Sequence, residues 1–266
     1  MAIVNLTPDS FYDGGKFVEI EDVLRDVAAK IAAGADIIDL GAASSRPGAE
    51  MLTAEAEWQR LALPLKEIRS TYPDVLISVD TVHAIVAEKA AAAGVDIIND
   101  ISGGVLDKAM LPTIAQLNLP YILMHMNGTP ATMGGLPAMT NAGTVVRQFF
   151  STQTMALAEK GFSKIILDPG FGFGKSLENN YQLLGSLSTF QELGFPLLVG
   201  VSRKSMISKI TQGSPVTALN GTTVINTVSL LNGANILRVH DVTEAIEAIK
   251  LVSFYLQCNR SNISEK

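Results

Sequence analysis

VLISVDTVHAIVAEKAAAAGVDIIND, residues 75–100, holds two short apolar runs, 75–79 and 95–98, separated by a longer segment. Each run is nearly continuous in Val, Ile and Leu instead of alternating, the pattern of a strand buried on both faces of a parallel sheet. The longer segment stops at Ala93-Gly94, and glycine accepts the left-handed backbone that ends a helix. Polar residues close both runs: Asp80 after the first, Asn99-Asp100 after the second. The stretch reads as strand, helix, strand, with chemistry at the strand ends.

The same unit recurs in both directions. Apolar runs lie at 2–6, 36–40, 75–79, 95–98, 121–124, 164–167, 196–201 and 235–239. Ile20, Val23, Leu24, Val27, Ala28 and Ile31 keep the three-and-four spacing of one helical face, as do Val242, Ala245, Ile246, Ile249 and Val252. Gly34, Gly161 and Gly194 repeat the stop signal of Gly94. No Pro/Ser-rich linker or shift in composition divides the chain, and 127–143 reads as one long loop. Eight strands each followed by a helix in 266 residues predict a single α/β domain over 1–266, a (β/α)8 TIM barrel. A doubly wound open sheet is the alternative, because spacing does not reveal closure. Both folds place ligands at the carboxyl ends of the strands.

Composition narrows the function. At 47% hydrophobic and 17% charged residues the chain is not intrinsically disordered. A formal charge of −6 argues against a general nucleic-acid-binding surface. One cysteine, Cys258, excludes an internal disulfide framework and a cysteine-based zinc site. No apolar run approaches the roughly 18 residues that span a bilayer. Asn5, Pro8 and Asp9 interrupt what a signal peptide would need, so a cytoplasmic protein with no membrane partner is expected.

The strand ends carry the chemistry. Asp80, Asn99 and Asp168 offer carboxylate and amide edges that suit a flat heterocycle with several N–H donors and a carbonyl. Arg46, Lys204 and Arg238, with His240, make a cationic region suited to phosphates or carboxylates. Ser205 falls in the first turn of a helix, where free N–H groups attract an anion. A planar polar ring joined to an anion is the ligand these residues describe. Plainer readings stand beside this one. Asp80 suits a helix N-cap before Thr81, Asn99-Asp100 suits a turn, Gly170–Lys175 suits a tight loop, and His125 suits core packing. His83 sits on an expected helix and reads as structural. The Asp22/Asp26 and Glu55/Glu57 pairs read as solvated helix faces, and three scattered histidines do not make a metal cluster.

Taken together, these strand ends resemble the dihydropteroate synthases, the folate-pathway branch of the pterin-binding barrel family. The resemblance rests on Ile3-Val4-Asn5-Leu6-Thr7-Pro8-Asp9-Ser10-Phe11 with Asp13-Gly14-Gly15, on Ser45-Arg46-Pro47-Gly48, and on Asp168-Pro169-Gly170-Phe171-Gly172-Phe173-Gly174-Lys175. Val79-Asp80-Thr81, Ile98-Asn99-Asp100, Met124-His125-Met126, Ser202-Arg203-Lys204 and Arg238-Val239-His240-Asp241 complete it in order. The first loop and the DPGFGFGK stretch are its most specific pieces. Two departures stand out. Ser45 replaces the family's usual threonine, and the chain opens directly on the first strand, where family members carry a short N-terminal segment.

The resemblance implies joining of 6-hydroxymethyl-7,8-dihydropterin diphosphate to p-aminobenzoate, with release of pyrophosphate. It implies that Asp80, Asn99, Met124, Asp168, Lys204 and Arg238 bind the pterin, with Asp80, Lys204 and Arg238 serving catalysis. Asn5, Ser45, Arg46 and His240 would hold the diphosphate, with Mg²⁺ near Asn5. Pro47, Phe173 and Ser205 would hold p-aminobenzoate, where sulfonamides compete. A homodimer is implied as well. A methyltetrahydrofolate–corrinoid methyltransferase would share the pterin-edge carboxylates but needs no diphosphate loop. A pterin-binding paralogue without catalysis is the non-enzyme alternative.

Overall fold

The computed structural model describes residues 1–6, 20–43 and 51–261. Its strands are β1 (Ala2–Asn5), β2 (Ile37–Gly41), β3 (Leu76–Asp80), β4 (Ile97–Asp100), β5 (Tyr121–Met124), β6 (Ile165–Asp168), β7 (Leu198–Val199) and β8 (Ile236–Leu237). The helices between them are α1 (Ile20–Ala32), α2 (Ala54–Thr71), α3 (Ala84–Ala92), α4 (Met110–Leu117), α5 (Ala142–Ala158) and α6 (Leu177–Gln191). After β7 come a short α7 (Ser205–Thr211) and then α8 (Leu219–Leu231), and α9 (Val242–Ser261) follows β8.

Pairing is parallel throughout. β1 to β6 join in chain order, and β7 pairs with β8. Two isolated parallel bridges, Leu167 to Leu197 and Ala2 to Val239, connect these two sheets at both edges. At the first edge the Leu167 N–H donates to the Pro196 carbonyl at 2.8 Å, and at the second the Ile3 N–H donates to Val239 at 2.9 Å. The ring is closed. It is the expected (β/α)8 barrel in one domain, and the open sheet is excluded.

Local chemistry explains the elements. Thr53 caps α2 by accepting from the Ala56 N–H at 3.3 Å, and Ser176 caps α6 through Asn179 at 3.1 Å. Gly34, Gly94, Gly161 and Gly194 all have positive φ, as stop signals require. The outer core runs without a break from β1 to α9, with Leu40, Ile77, Phe150, Leu187 and Ala245 among its buried members.

Inside the barrel, Ile37, Ile97, Ile122 and Leu198 form a separate aliphatic cluster with Met1, Ile166 and Ile236. Successive strand residues alternate faces, so residues two further along point the same way and sit about 7 Å higher. Those residues are Asp39, Asn99, Met124, Asp168 and Arg238. An aliphatic floor carries a polar layer.

Three expectations need correction. The 127–143 loop contains a 3-10 turn at Met133–Gly135, and α5 already begins at Ala142, because Asn141 caps it through the Thr144 N–H at 3.0 Å. His83 is the N-cap residue of α3, just outside the helix. Glu57 is not solvated: only 2% exposed, it faces inward with one carboxylate oxygen 3.7 Å from His83 Nε2. Burial pushes its carboxyl up from the ordinary range. Glu55 of the same pair does face solvent.

Candidate active site

One row of the barrel mouth is fixed by register: Asn5 pairs with Gly41, Gly41 with Asp80, and Asp80 with Asn99. A Cβ on Gly41 would stand 3.7 Å from the Asp80 Cβ and 3.9 Å from Asn5 Oδ1. Asn5 and Asp80 therefore flank the glycine on neighbouring strands.

Arg238 lies across the interior from β8. Its Nε donates to Asp39 Oδ2 at 2.7 Å, and its Nη2 lies 2.6 Å from that oxygen and 3.1 Å from Asp80 Oδ2. Burial opposes the guanidinium charge, but Asp39 and Asp80 outweigh it and hold its pKa above the usual value. Asp80 behaves oppositely. Burial pushes its carboxyl up to about 7 even though Arg238 pulls it down. Asp80 does not cap α3; the Ala84 N–H at that helix start donates instead to Asp107 Oδ2 at 2.8 Å. The neighbouring Asn99-Asp100 pair divides its work. Asp100 is turn chemistry, accepting from the Ser102 and Gly104 N–H groups and from the Tyr121 hydroxyl, each at 2.7 Å. Asn99 points inward, 3.4 Å from Asp39.

The 168–175 loop builds the opposite wall. Gly170 and Gly174 have φ of +68° and +66°, and a Cβ on either would come within 1.9 Å of the His125 or Asn127 carbonyl. Only glycine fits. Lys175 Nζ holds the turn by donating to the carbonyls of His125, Gly170 and Phe173 at 3.0, 2.6 and 3.2 Å. Burial lowers its pKa to about 7. The tight-loop reading is thus correct, and the loop also delivers site residues. Asp168 Oδ1 accepts from the Gly170 N–H at 2.7 Å, and burial raises its carboxyl pKa against the pull of Lys204. Lys204 Nζ donates to the Phe171 carbonyl and stands 4.7 Å from the centre of the Phe173 ring. Burial brings its pKa down to about 8, with Asp168 opposing. Met124, Met133 and Phe173 form an apolar cluster with Ile101 and Met126.

His125 packs edge-on against Phe149, centroids 5.0 Å apart, and burial lowers its pKa to about 3. It belongs to the core. His240 is exposed at the rim, and its backbone N–H donates to Ser202 Oγ at 3.2 Å. Burial of part of the ring and the nearby Arg238 hold its imidazole below the usual pKa. Ser205 is exposed as the first residue of α7. Ser45, Arg46 and Pro47 lie outside the described residues.

Sequence reasoning passed over Asp39 and Lys175. Asp39 is fully buried and Lys175 half-buried, and both hold other parts of the site in place. The signal for Asp39 was an acid inside an apolar run. Among the described residues no group of three or more His, Cys, Asp or Glu side chains is arranged to hold a metal ion, and no helix is long and apolar enough to cross a membrane.

The profile of the pterin binding enzyme family matches residues 1–240. The chain is 40% identical over 263 residues to the dihydropteroate synthase of Escherichia coli (strain K12), covering 98% of this chain and 93% of that one. Among solved structures, the dihydropteroate synthase of Yersinia pestis with a sulfonamide drug complex superposes with a TM-score of 0.90 at 38% identity, covering 96% of this chain and 93% of that one. The Clostridium difficile enzyme, solved in the presence of pteroic acid, gives 0.89 at 35% identity, covering 96% and 95%. With this interior and these relatives, the chain belongs to the dihydropteroate synthases of the pterin binding enzyme family.

Proposed function

We propose that the barrel condenses 6-hydroxymethyl-7,8-dihydropterin diphosphate with p-aminobenzoate to 7,8-dihydropteroate and pyrophosphate, a transferase step of folate biosynthesis. The observation that carries this reading is the cluster of Asp80, Asn99, Asp168, Lys204 and Arg238 at the mouth, above an aliphatic floor. A flat ring standing on that floor meets carboxylate and amide acceptors at its edge and a guanidinium beside its face. Met124 and Phe173 supply apolar contact.

The C–O bond to the exocyclic methylene breaks and its electron pair leaves with pyrophosphate. The amine nitrogen of p-aminobenzoate forms the new C–N bond and loses a proton to water. Positive charge develops on the methylene and ring, and ionised Asp80 stabilises it; no protein nucleophile takes part. Catalysis is positioning and electrostatics. Asn5, Ser45, Arg46 and His240 are assigned to the diphosphate. Pro47, Phe173 and Ser205 are assigned to p-aminobenzoate.

Asn5 offers one neutral amide oxygen at the exposed end of β1. Such a donor suits Mg²⁺ when phosphate oxygens and water complete its shell, so the residues fit a metal that arrives with the substrate. Bound there, Mg²⁺ would neutralise charge on the leaving diphosphate. The reading extends to a cytoplasmic homodimer. Val224 and Leu231 of α8 and Leu251, Phe254 and Tyr255 of α9 are exposed on adjacent helices, which favours a partner subunit over water.

Pyrophosphate release from purified protein with the dihydropterin diphosphate and Mg²⁺, with and without p-aminobenzoate, tests the proposal. Release that needs p-aminobenzoate and yields dihydropteroate is expected. Folded protein that binds pterin but releases nothing would overturn it in favour of a binding protein.

A further inference from the structure

We infer that Asp39 is a positioning residue that anchors Arg238 and keeps the guanidinium from neutralising Asp80 while the reaction proceeds. The inference rests on the synthase reading, because Asp80 must act there as a free negative charge.

Asp39 belongs to no surface and to no cap. It is 0% exposed in the interior of β2, and its Oδ2 takes both the Nε and Nη2 contacts of Arg238, at 2.7 and 2.6 Å. The contact from Asp80 is single and longer, at 3.1 Å. One guanidinium is therefore shared unequally: Asp39 holds its root and Asp80 touches its tip. Asn99 Nδ2, 3.4 Å from the same Asp39 oxygen, ties this anchor to the pterin-edge amide. The other oxygen, Oδ1, is buried with no hydrogen-bond partner among the described residues. A buried carboxylate left half-satisfied is an expensive way to stabilise a barrel, since an aliphatic residue would fill the space at lower cost. Its presence makes sense where an anion is needed to pull on Arg238.

The two acids have different duties. When a ring carrying positive charge forms beside Asp80, the Arg238 contact to Asp80 works against it. With Asp39 as anchor, that contact is released without losing the guanidinium from the site. Without the Asp39 charge, Asp80 becomes the sole carboxylate ion-paired with Arg238 among the described residues and is masked.

Asp39→Asn, which keeps size and shape, is the test. Asp80 faces Arg238 from β8, Asp39 from β2, Lys204 after β7, Glu57 from α2 and Asp100 from β4. Removing the Asp39 charge and giving Arg238 wholly to Asp80 both favour the ionised Asp80. The acid limb of kcat/KM therefore shifts to lower pH, while kcat falls about tenfold to a hundredfold, the penalty of a misplaced group. KM for the dihydropterin diphosphate changes less than kcat. In an Asp80→Asn background the same Asp39→Asn change should cost little, because there is no charge left to unmask. Equal losses in both backgrounds, or an unmoved acid limb, would assign Asp39 to structure and overturn the inference. Asp39→Ser, neutral and smaller, carries the same comparison should Asp39→Asn fail to fold. A wild-type protein inactive in the pyrophosphate assay fails the synthase reading; an active wild type with an unchanged Asp39→Asn enzyme fails only the inference.

Discussion

Replacing Asp80 with asparagine separates what this residue does for the fold from what it does for the reaction. Its carboxyl rises from the ordinary 3.8 to about 7 in the folded protein, chiefly through burial, with Arg238 3.1 Å away pulling it down. Three units correspond to about 4 kcal/mol at most, the cost of ionising Asp80 within the fold. A carboxyl with a raised folded pKa binds more protons folded than unfolded between about pH 4 and 7, so its contribution to stability is lost as pH rises through that window. Asparagine carries no such penalty. Urea unfolding of Asp80→Asn and wild type should agree near pH 4, diverge between pH 4 and 7, and favour the variant at pH 8 by up to about 4 kcal/mol. Turnover should move the other way. A unit charge about 4 Å from a developing cation, at an effective dielectric near 20, contributes about 4 kcal/mol, or about a thousandfold in rate. A stability difference that ignores pH, or a variant that loses stability and activity together, would refute the reasoning.

Three further outcomes follow from the geometry. Gly170→Ala places a methyl group 1.9 Å from the His125 carbonyl at a φ of +68°. It should destabilise by at least about 2 kcal/mol in urea and displace Asp168, seen as weaker pterin binding by calorimetry; wild-type values in both would show that the loop yields freely. Lys175→Met leaves the His125 carbonyl without its donor, while those of Gly170 and Phe173 keep the Phe173 and Asn127 N–H groups, and unfolding should be easier by about 2 kcal/mol in urea, an unchanged midpoint refuting its bracing role. Arg238→Ala should weaken dihydropterin and pyrophosphate binding about tenfold or more each, as loss of a charged contact does, and unchanged titrations would remove Arg238 from the site.

The strand ends were legible because a strand buried on both faces must be apolar until it reaches the mouth, so the first polar residue marks the rim. Asp80, Asn99, Asp168 and Arg238 all came from that rule. Asp39 escaped it by lying one step short of the rim, inside the run from Ile37 to Leu40, where a lone acid looks like an interruption. Glu57 was misjudged because its charge was weighed above its spacing, which puts it on the buried face of α2 with Leu61, Pro64, Leu65 and Ile68. The cap of α3 was similarly out of reach, since Asp107 reaches it from a different loop. Closure of the barrel turned on two single bridges, at Leu167–Leu197 and Ala2–Val239, which leave no mark on composition or period.

The floor of Ile37, Ile97, Ile122, Ile166, Leu198 and Ile236 has a consequence for molecules that compete for this pocket. It works as a depth stop. A larger ring system gains nothing by pushing inward, because incompressible aliphatic packing meets it there. Added atoms must grow outward through the mouth, past Lys204 and Phe173. The inner end thus measures a ligand by thickness and edge pattern, and the outer end by what it trails behind.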